Sequence, residues 1–300
     1  MAGRALLPGQ ISEVRVHRLS DGSDEVVYRD PTTVVEAPNW TPDGRWLIVN
    51  AAGKLWRISA AGGDRERIDT GEIPDLNNDH VVSPDGRYAY VSSNDSHLYE
   101  VALDGSGSTR RVSNDQDGVW HFLHGISPDG STLAYIGLTG HAPGDARTTD
   151  VFTVPVSGGP DVRLTSGPGQ KDGSEYAPDG AWIYGNSDQG SSTPGHAQLF
   201  RMRTDGSGHQ QLTDDERVNW FPHPSPDGSR LLYLSFPPGT EGHPENRDVI
   251  IRLAATDGAD PVDVVSLFGG QGTLNVNGWA PDSDRFAYVA YPVSVADPPA

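Results

Sequence analysis

The chain has 300 residues, no cysteine and a formal net charge of −19, from 41 acidic and 22 basic side chains. The absence of cysteine excludes disulfides and thiolate metal sites, and the negative charge disfavours nucleic acid and anionic membranes as partners. With 36 Gly and 24 Pro and no helical periodicity, the composition favours a turn-rich β protein.

The N-terminal residues predict two strands and no export signal. The apolar stretch Ala5-Leu6-Leu7 ends at Pro8, which is shorter than the apolar core of a signal peptide, and no later run reaches membrane-spanning length. We therefore expect a cytoplasmic protein, and a monomer. Alternating residues 14–19 and 25–28, separated by a Gly-containing turn, predict two antiparallel strands.

A turn then recurs along the rest of the chain. Pro-Asp-Gly occupies 42–44, 84–86, 128–130, 178–180 and 226–228, and Pro-Asp-Ser occupies 281–283. The spacings of 42, 44, 50, 48 and 55 residues are typical of one propeller blade each. Proline presets φ and glycine accepts positive φ, as a tight hairpin turn requires. Blades are predicted to start near residues 36, 79, 122, 173, 220 and 273.

Each turn is followed by an alternating apolar strand, a third strand, a second Gly-rich turn and a short outer strand, which makes four strands per blade. The sixth copy holds only two predicted strands, 273–279 and 286–291. Residues 11–30 supply the missing pair, which removes the open sheet edges of an unclosed ring. The sequence therefore predicts an all-β, six-bladed β-propeller of four antiparallel strands per blade, in one domain covering residues 1–300.

The repeat carries a family resemblance. Val81-Val82-Ser83-Pro84-Asp85-Gly86 and its copies resemble the PD40 (WD40-like) repeats of TolB-like propellers. The resemblance covers nearly the whole chain and implies the fold. It leaves the activity open, because the same scaffold serves binding proteins, accessory domains and lyases.

The two faces of such a ring should differ. The Pro-Asp-Gly turns share one face, and the longer loops share the other, where function usually lies. Eight of the ten histidines are predicted on the long-loop face: His80, His97, His121, His124, His141, His196, His223 and His243.

Within that face, His80 and His124 lie four residues before a turn proline, and Asn39, Glu175 and His223 lie three before. Such positions should converge at the channel mouth, and imidazoles with a carboxylate suit a transition metal or acid–base chemistry. The predicted metal ligands are His80, His124, Glu175 and His223, for Mn, Zn or Ca. The predicted catalytic residues are His80, His124 and His223, and the predicted ligand-binding residues are Asp79, Glu175, Trp120, Trp220 and Asn277.

Purely structural roles stay open for these residues. Polar groups at a channel mouth commonly hold water or brace neighbouring blades, and the tryptophans could pack between blades rather than stack on a sugar. The segment Phe221-Pro222-His223-Pro224-Ser225 is similar to the His-Pro-His-Pro-Ser segment of oligogalacturonate lyases. That resemblance implies a manganese-type site, but Phe221 replaces its first histidine and Val218 stands at its glutamine position.

Two functions follow. One is binding of a small polar, carbohydrate-like ligand at a channel mouth lined by histidines and carboxylates, with a metal- or His-dependent lyase or hydrolase reaction if the protein is an enzyme. The other is a non-enzymatic protein-interaction scaffold.

Overall fold

The computed structural model describes residues 4–116, 118–140 and 146–293, which contain 23 β-strands. The first two are β1 (Ser12–Arg18) and β2 (Asp24–Asp30). No helix long and apolar enough to cross a membrane occurs in these three segments.

Five four-stranded antiparallel sheets follow, and each is one blade. Blade 1 contains β3 (Val35–Trp40), β4 (Trp46–Ala51), β5 (Lys54–Ser59) and β6 (Glu66–Arg67). Blade 2 contains β7 (Leu76–Val82), β8 (Tyr88–Ser93), β9 (Leu98–Ala102) and β10 (Thr109–Arg111). Blade 3 contains β11 (Trp120–Ile126), β12 (Thr132–Thr139), β13 (Thr148–Pro155) and β14 (Val162–Arg163).

Blade 4 contains β15 (Lys171–Tyr176), β16 (Trp182–Ser187), β17 (Gln198–Arg203) and β18 (Gln210–Gln211). Blade 5 contains β19 (Val218–Pro224), β20 (Arg230–Phe236), β21 (Glu245–Ala255) and β22 (Val262–Gly270). In each blade the strands run outward from the channel in sequence order.

The N-terminal strands close the ring, as predicted. In the sixth blade, β23 (Arg285–Ala290) pairs with β1, and β1 pairs with β2. A buried cluster of apolar side chains joins this blade to blade 1, and its members include Val14, Val289, Val35 and Leu47. The six-bladed propeller predicted from the repeat is thereby confirmed.

The innermost segment of the sixth blade differs from the prediction, because residues 273–279 do not form a regular strand. They still lie beside β23, where a strand would lie, through one β-bridge from Trp279 to Phe286 and through backbone hydrogen bonds such as Ala287 N–H to Gly278 O at 2.7 Å. The Asn275 and Asn277 side chains accept the backbone N–H groups of Gly272 and Trp279. These local bonds compete with a regular ladder.

Four of the five Pro-Asp-Gly turns share one hydrogen-bond pattern, in which a Ser or Thr precedes the proline; in blade 4 that residue is Ala177. Ser83 Oγ donates to Asp85 Oδ1 at 2.7 Å and accepts the backbone N–H of Tyr88 at 3.0 Å. Thr41 and Ser225 do the same in blades 1 and 5. In all five turns the aspartate also accepts the backbone N–H two residues later, as from Arg87 to Asp85 at 3.0 Å, so this face of the ring is built from closely similar turns.

The inner strands of blades 1 to 5 each contain a register shift of the β-bulge type, for example between Asp172 and Glu175 in β15. A bulge bends the strand and re-aims its side chains. Side chains that precede the bulge and side chains that follow it therefore meet different ends of the channel. This division positions the site described below.

Near the bulges, adjacent inner strands come close enough to require glycine. A Cβ on Gly125 of β11 would overlap the carbonyl oxygen of Ser174 and lie 3.1 Å from Cα of Glu175, both in blade 4. Because both obstacles are backbone atoms, rotation of a side chain cannot relieve the overlap.

We therefore expect Gly125→Ala to lower the free energy of unfolding by about 1–3 kcal/mol, the usual cost of overpacking, in urea denaturation. Gly190→Ala is the matched control, because a Cβ there meets mainly the end of the Gln211 side chain, which can move. Equal stability of the two variants would contradict close approach of blades 3 and 4.

Candidate functional site

Two cavities occupy the ends of the channel. The turn-face cavity, about 380 Å³, is lined by the turn prolines and by Asn39, Glu175 and Asn277. The loop-face cavity, about 770 Å³, is lined by Asn78, Asp172, His243 and Gln271 among others. His124 lines both cavities and therefore lies at the level where the two ends of the channel meet.

The centre of the loop-face cavity is a carboxylate between two imidazoles. His124 Nε2 of β11 lies 2.9 Å from Asp172 Oδ1 of β15, and His243 Nε2 lies 3.5 Å from Asp172 Oδ2. His243 comes from the loop between β20 and β21, and its Nδ1 donates to Gln271 Oε1 at 2.5 Å. Three blades thus contribute one titratable group each to this cluster.

The geometry shifts the protonation of all three groups. Burial would lower the pKa of His124, but the hydrogen bond to Asp172 and the carboxylate's charge raise it to about 9. Burial likewise opposes the charged form of His243, and the same carboxylate raises its pKa. Burial would raise the pKa of Asp172, but its bonds to the two histidines hold it well below its usual range. At neutral pH the cluster is therefore an ionised carboxylate with protonated His124.

Asp79 is a second buried acid in the same cavity. Its carboxylate accepts Asn77 Nδ2 at 3.0 Å. Burial, only partly offset by the charge of His124, raises the pKa of Asp79 to about 6. Asp79 therefore gains or loses its proton close to neutrality, beside a histidine that holds one.

Amide side chains connect this cluster to the far rim. Asn275 Nδ2 donates to Gln271 Oε1 at 3.0 Å, and Asn78 Nδ2 lies 3.4 Å from Glu36 Oε1. Glu36 also pairs with Arg4, at 2.5 Å. The loop-face cavity thus presents amide, carboxylate and imidazole groups around much of its wall.

The two predicted tryptophans differ in role. Trp220 is buried and packs against His243, with ring centroids 4.5 Å apart, and against Phe221. Trp120 is half-buried and also lines the cavity. Trp220 therefore packs against the histidine, whereas Trp120 offers the more accessible ring.

The other predicted site residues lie elsewhere. His223 Nδ1 bonds Glu175 Oε2 at 2.5 Å, and its Nε2 bonds the Leu274 carbonyl oxygen at 2.9 Å. Asn277 Nδ2 donates to the same carboxylate. Glu175 and Asn277 line the turn-face cavity, so this hydrogen-bonded group belongs to the opposite end of the channel.

His80 lies in neither cavity. Its Nε2 bonds the Ile48 carbonyl oxygen of blade 1 at 3.1 Å, and burial lowers its pKa to about 4. It is a neutral, buried side chain that bridges blades 1 and 2. His141, one of the predicted loop histidines, lies outside the described residues.

The predicted metal ligands His80, His124, Glu175 and His223 are consequently not assembled. Among the described residues, no three His, Cys, Asp or Glu side chains form a group that could hold a metal ion. Residues three and four positions before the turn proline are neighbours in one strand, so their side chains point to opposite faces of the sheet. His80 accordingly enters the contact between blades 1 and 2, whereas Glu175 and His223 bond each other at the turn face. Asp172 and His243, which complete the loop-face cluster with His124, were absent from the predicted site. Asp172 lies six residues before its turn proline, a signal that could have identified it.

More distant solved structures share the fold alone. An oligogalacturonate lyase in complex with manganese has a TM-score of 0.59 at 15% identity, covering 89% of this chain and 75% of that one. TolB from Acinetobacter baumannii has a TM-score of 0.63 at 17% identity, covering 88% of this chain and 65% of that one.

A manganese ion does not fit the corresponding position here. Both ring nitrogens of His223 are already hydrogen-bonded, to Glu175 and to the Leu274 carbonyl oxygen, so the imidazole has no free nitrogen to coordinate a metal. Phe221, whose side chain cannot coordinate, is buried beside it.

Two nearer relatives cover almost the entire chain, although no family model matches it. The uncharacterized protein Atu1656 of Agrobacterium fabrum is 38% identical over 285 residues, which is 93% of this chain and 92% of that one. A solved structure assigned to TolB from Agrobacterium tumefaciens has a TM-score of 0.85 at 35% identity, covering 96% of this chain and 99% of that one. The chain therefore belongs to the family of TolB-like six-bladed β-propellers.

Proposed function

We propose that this propeller binds a small polar, carbohydrate-like ligand in the loop-face cavity. One observation carries the proposal: a buried carboxylate, Asp172, is held between two imidazoles at the base of a cavity of about 770 Å³. A concave site that gathers polar groups and titratable residues with perturbed pKa values is the usual form of a ligand site.

The wall chemistry supports a ligand rich in hydroxyl groups. The cavity wall carries amides that both donate and accept hydrogen bonds; they belong to Asn77, Asn78, Gln170, Gln271 and Asn275. Trp120 supplies an aromatic surface that suits the apolar face of a sugar ring. Such a mixture recognises neutral polar groups from several directions.

The same groups could transfer protons. Of the three predicted catalytic histidines, His124 is the one in this cavity, and His243 joins it through Asp172. Asp79, whose pKa is raised to about 6, is a candidate base, and protonated His124 or His243 is a candidate acid. A reaction of the lyase or hydrolase type would use these groups.

The alternative of a protein-interaction scaffold has less support in the described part of the chain. The large apolar side chains exposed there are Leu7, Val162, Val262 and Val293. They are divided among the termini, blade 3 and blade 5, and a contiguous apolar patch is the usual mark of a protein interface. The cytoplasmic location and the monomeric state stay predictions.

Asp172→Asn should weaken ligand binding at least tenfold, which corresponds to about 1.4 kcal/mol. The substitution keeps the shape but removes the charge that orders both histidines. Isothermal titration calorimetry against neutral and acidic mono- and oligosaccharides checks this, after the wild-type protein has identified a bound member.

Asp205→Asn is the matched control, because Asp205 is an exposed turn residue outside both cavities. Equal affinity of the Asp172→Asn variant and wild type would overturn the assignment of the loop-face cavity. Wild-type protein that binds no saccharide but is captured by a protein partner would favour the scaffold instead.

The pH dependence of His124 gives an independent prediction. Its folded-state pKa of about 9 exceeds the unfolded value of about 6.5. The stability that it contributes is therefore fully present below pH 6.5 and is lost as the pH rises through 9. NMR titration of the imidazole should give this raised pKa, and Asp172→Asn should lower it towards 6.5, since burial is then opposed by the charge of Asp79 without that of Asp172. An unchanged titration in the variant would contradict the ion pair.

A further inference from the structure

Lys171 is a buried cation directly before Asp172 in the sequence. Its side chain is 2% exposed. Its Nζ donates to three successive carbonyl oxygens, those of Gly167 at 2.9 Å, Pro168 at 3.0 Å and Gly169 at 2.9 Å. Asp150 Oδ1 of blade 3 lies 3.5 Å from the same nitrogen.

The number of N–H donors and the charge of the ammonium group both match this environment. It has three N–H donors, and three carbonyl oxygens lie within hydrogen-bond distance, while the Asp150 carboxylate offsets its charge. A guanidinium is planar, with donors fixed in a fork, and cannot direct three bonds from one nitrogen. Lysine is rare in this chain: of its 22 basic residues, only Lys54 and Lys171 are lysines and the rest are arginines.

These bonds fix the segment that delivers Asp172 to the channel. The carbonyls belong to the connection from β14, the outer strand of blade 3, to β15, the inner strand of blade 4. Lys171 N–H also donates to Thr149 Oγ1 at 2.7 Å, and Gln170 N–H donates to Asp188 Oδ1 at 2.7 Å. The connection is therefore tied to blades 3 and 4 immediately before Asp172.

We propose that Lys171 is a positioning residue of the loop-face site, whose ammonium group orders residues 167–170 so that Asp172 reaches both His124 and His243. It acts from behind the cavity wall, through the backbone that it shares with Asp172. The relevance of Lys171 to ligand binding rests on the proposed function, but its effect on the placement of Asp172 can be tested without a ligand.

The test is the titration of His124 in Lys171→Met, which keeps the length of the side chain and removes the ammonium. The groups that interact with His124 are Asp172 and Asp79, together with the backbone of Asn275. If Asp172 loses its position, the pKa of His124 should fall from about 9 towards or below the ordinary value of about 6.5. Far-UV circular dichroism should still show the β-sheet spectrum of the wild type.

Lys54→Met is the matched control, since Lys54 pairs with Asp75 at 2.9 Å in another part of the ring and its loss should leave the His124 titration unchanged. Lys171→Gln provides a second variant, with two N–H donors and no charge, and should lower the pKa of His124 in the same direction. A folded Lys171 variant that titrates as the wild type does would overturn the proposal.

Loss of the folded state in both Lys171 variants would also overturn it, because the proposed role is to order one connection and not the propeller. A failure of the ligand proposal is distinguishable from these outcomes. In that case Asp172→Asn binds saccharide as the wild type does, or no saccharide binds, while the His124 titration of Lys171→Met still reports on Asp172.

Discussion

The β-bulge in the inner strands is the constraint on which the rest of the channel depends. One extra residue in each of β3, β11, β15 and β19, and two in β7, change the direction of the side chains that follow. Residues six positions before the turn proline, such as Asn78 and Asp172, consequently line the loop-face cavity. Residues three positions before it, such as Asn39 and Glu175, line the turn-face cavity. A single channel thereby carries two separate polar groups.

The separation determines the electrostatics of each end. On the loop face, Asp172 stays ionised because two imidazoles from other blades reach it. Burial of Asp79, which the charge of His124 offsets only in part, raises its pKa. On the turn face, Glu175 is bonded by His223 and Asn277, and the bonded groups brace blades 4, 5 and 6. One end therefore holds titratable groups with shifted pKa values, and the other holds a bracing contact.

The sequence was a good guide wherever local chemistry decides the structure. The Pro-Asp-Gly turns and the alternating strands predict the blades because each is encoded within a few residues, and the strand deficit of the last blade predicts its closure by β1 and β2. A bulge has no comparable signal, since it depends on how neighbouring inner strands meet at positions such as Gly125 and Ser174. Counting back from the proline without the extra residue grouped His80, His124, Glu175 and His223 as one site. His243 was outside that count altogether, because a long loop brings it back over the channel.

The contrast between the faces also explains where new specificity can arise in this fold. The turns are held by repeated side-chain bonds such as Ser83 to Asp85, so altering one disturbs the hairpin that carries its blade. The loop-face groups are held differently: His243 comes from the connection of β20 to β21, and Gln271 from the connection into the sixth blade. Such connections can change length and composition while every blade keeps its ladder. Asp172 is held by β15 and, in our proposal, by Lys171, so the loops above it can vary while the ring and the centre of the proposed ligand site stay unchanged.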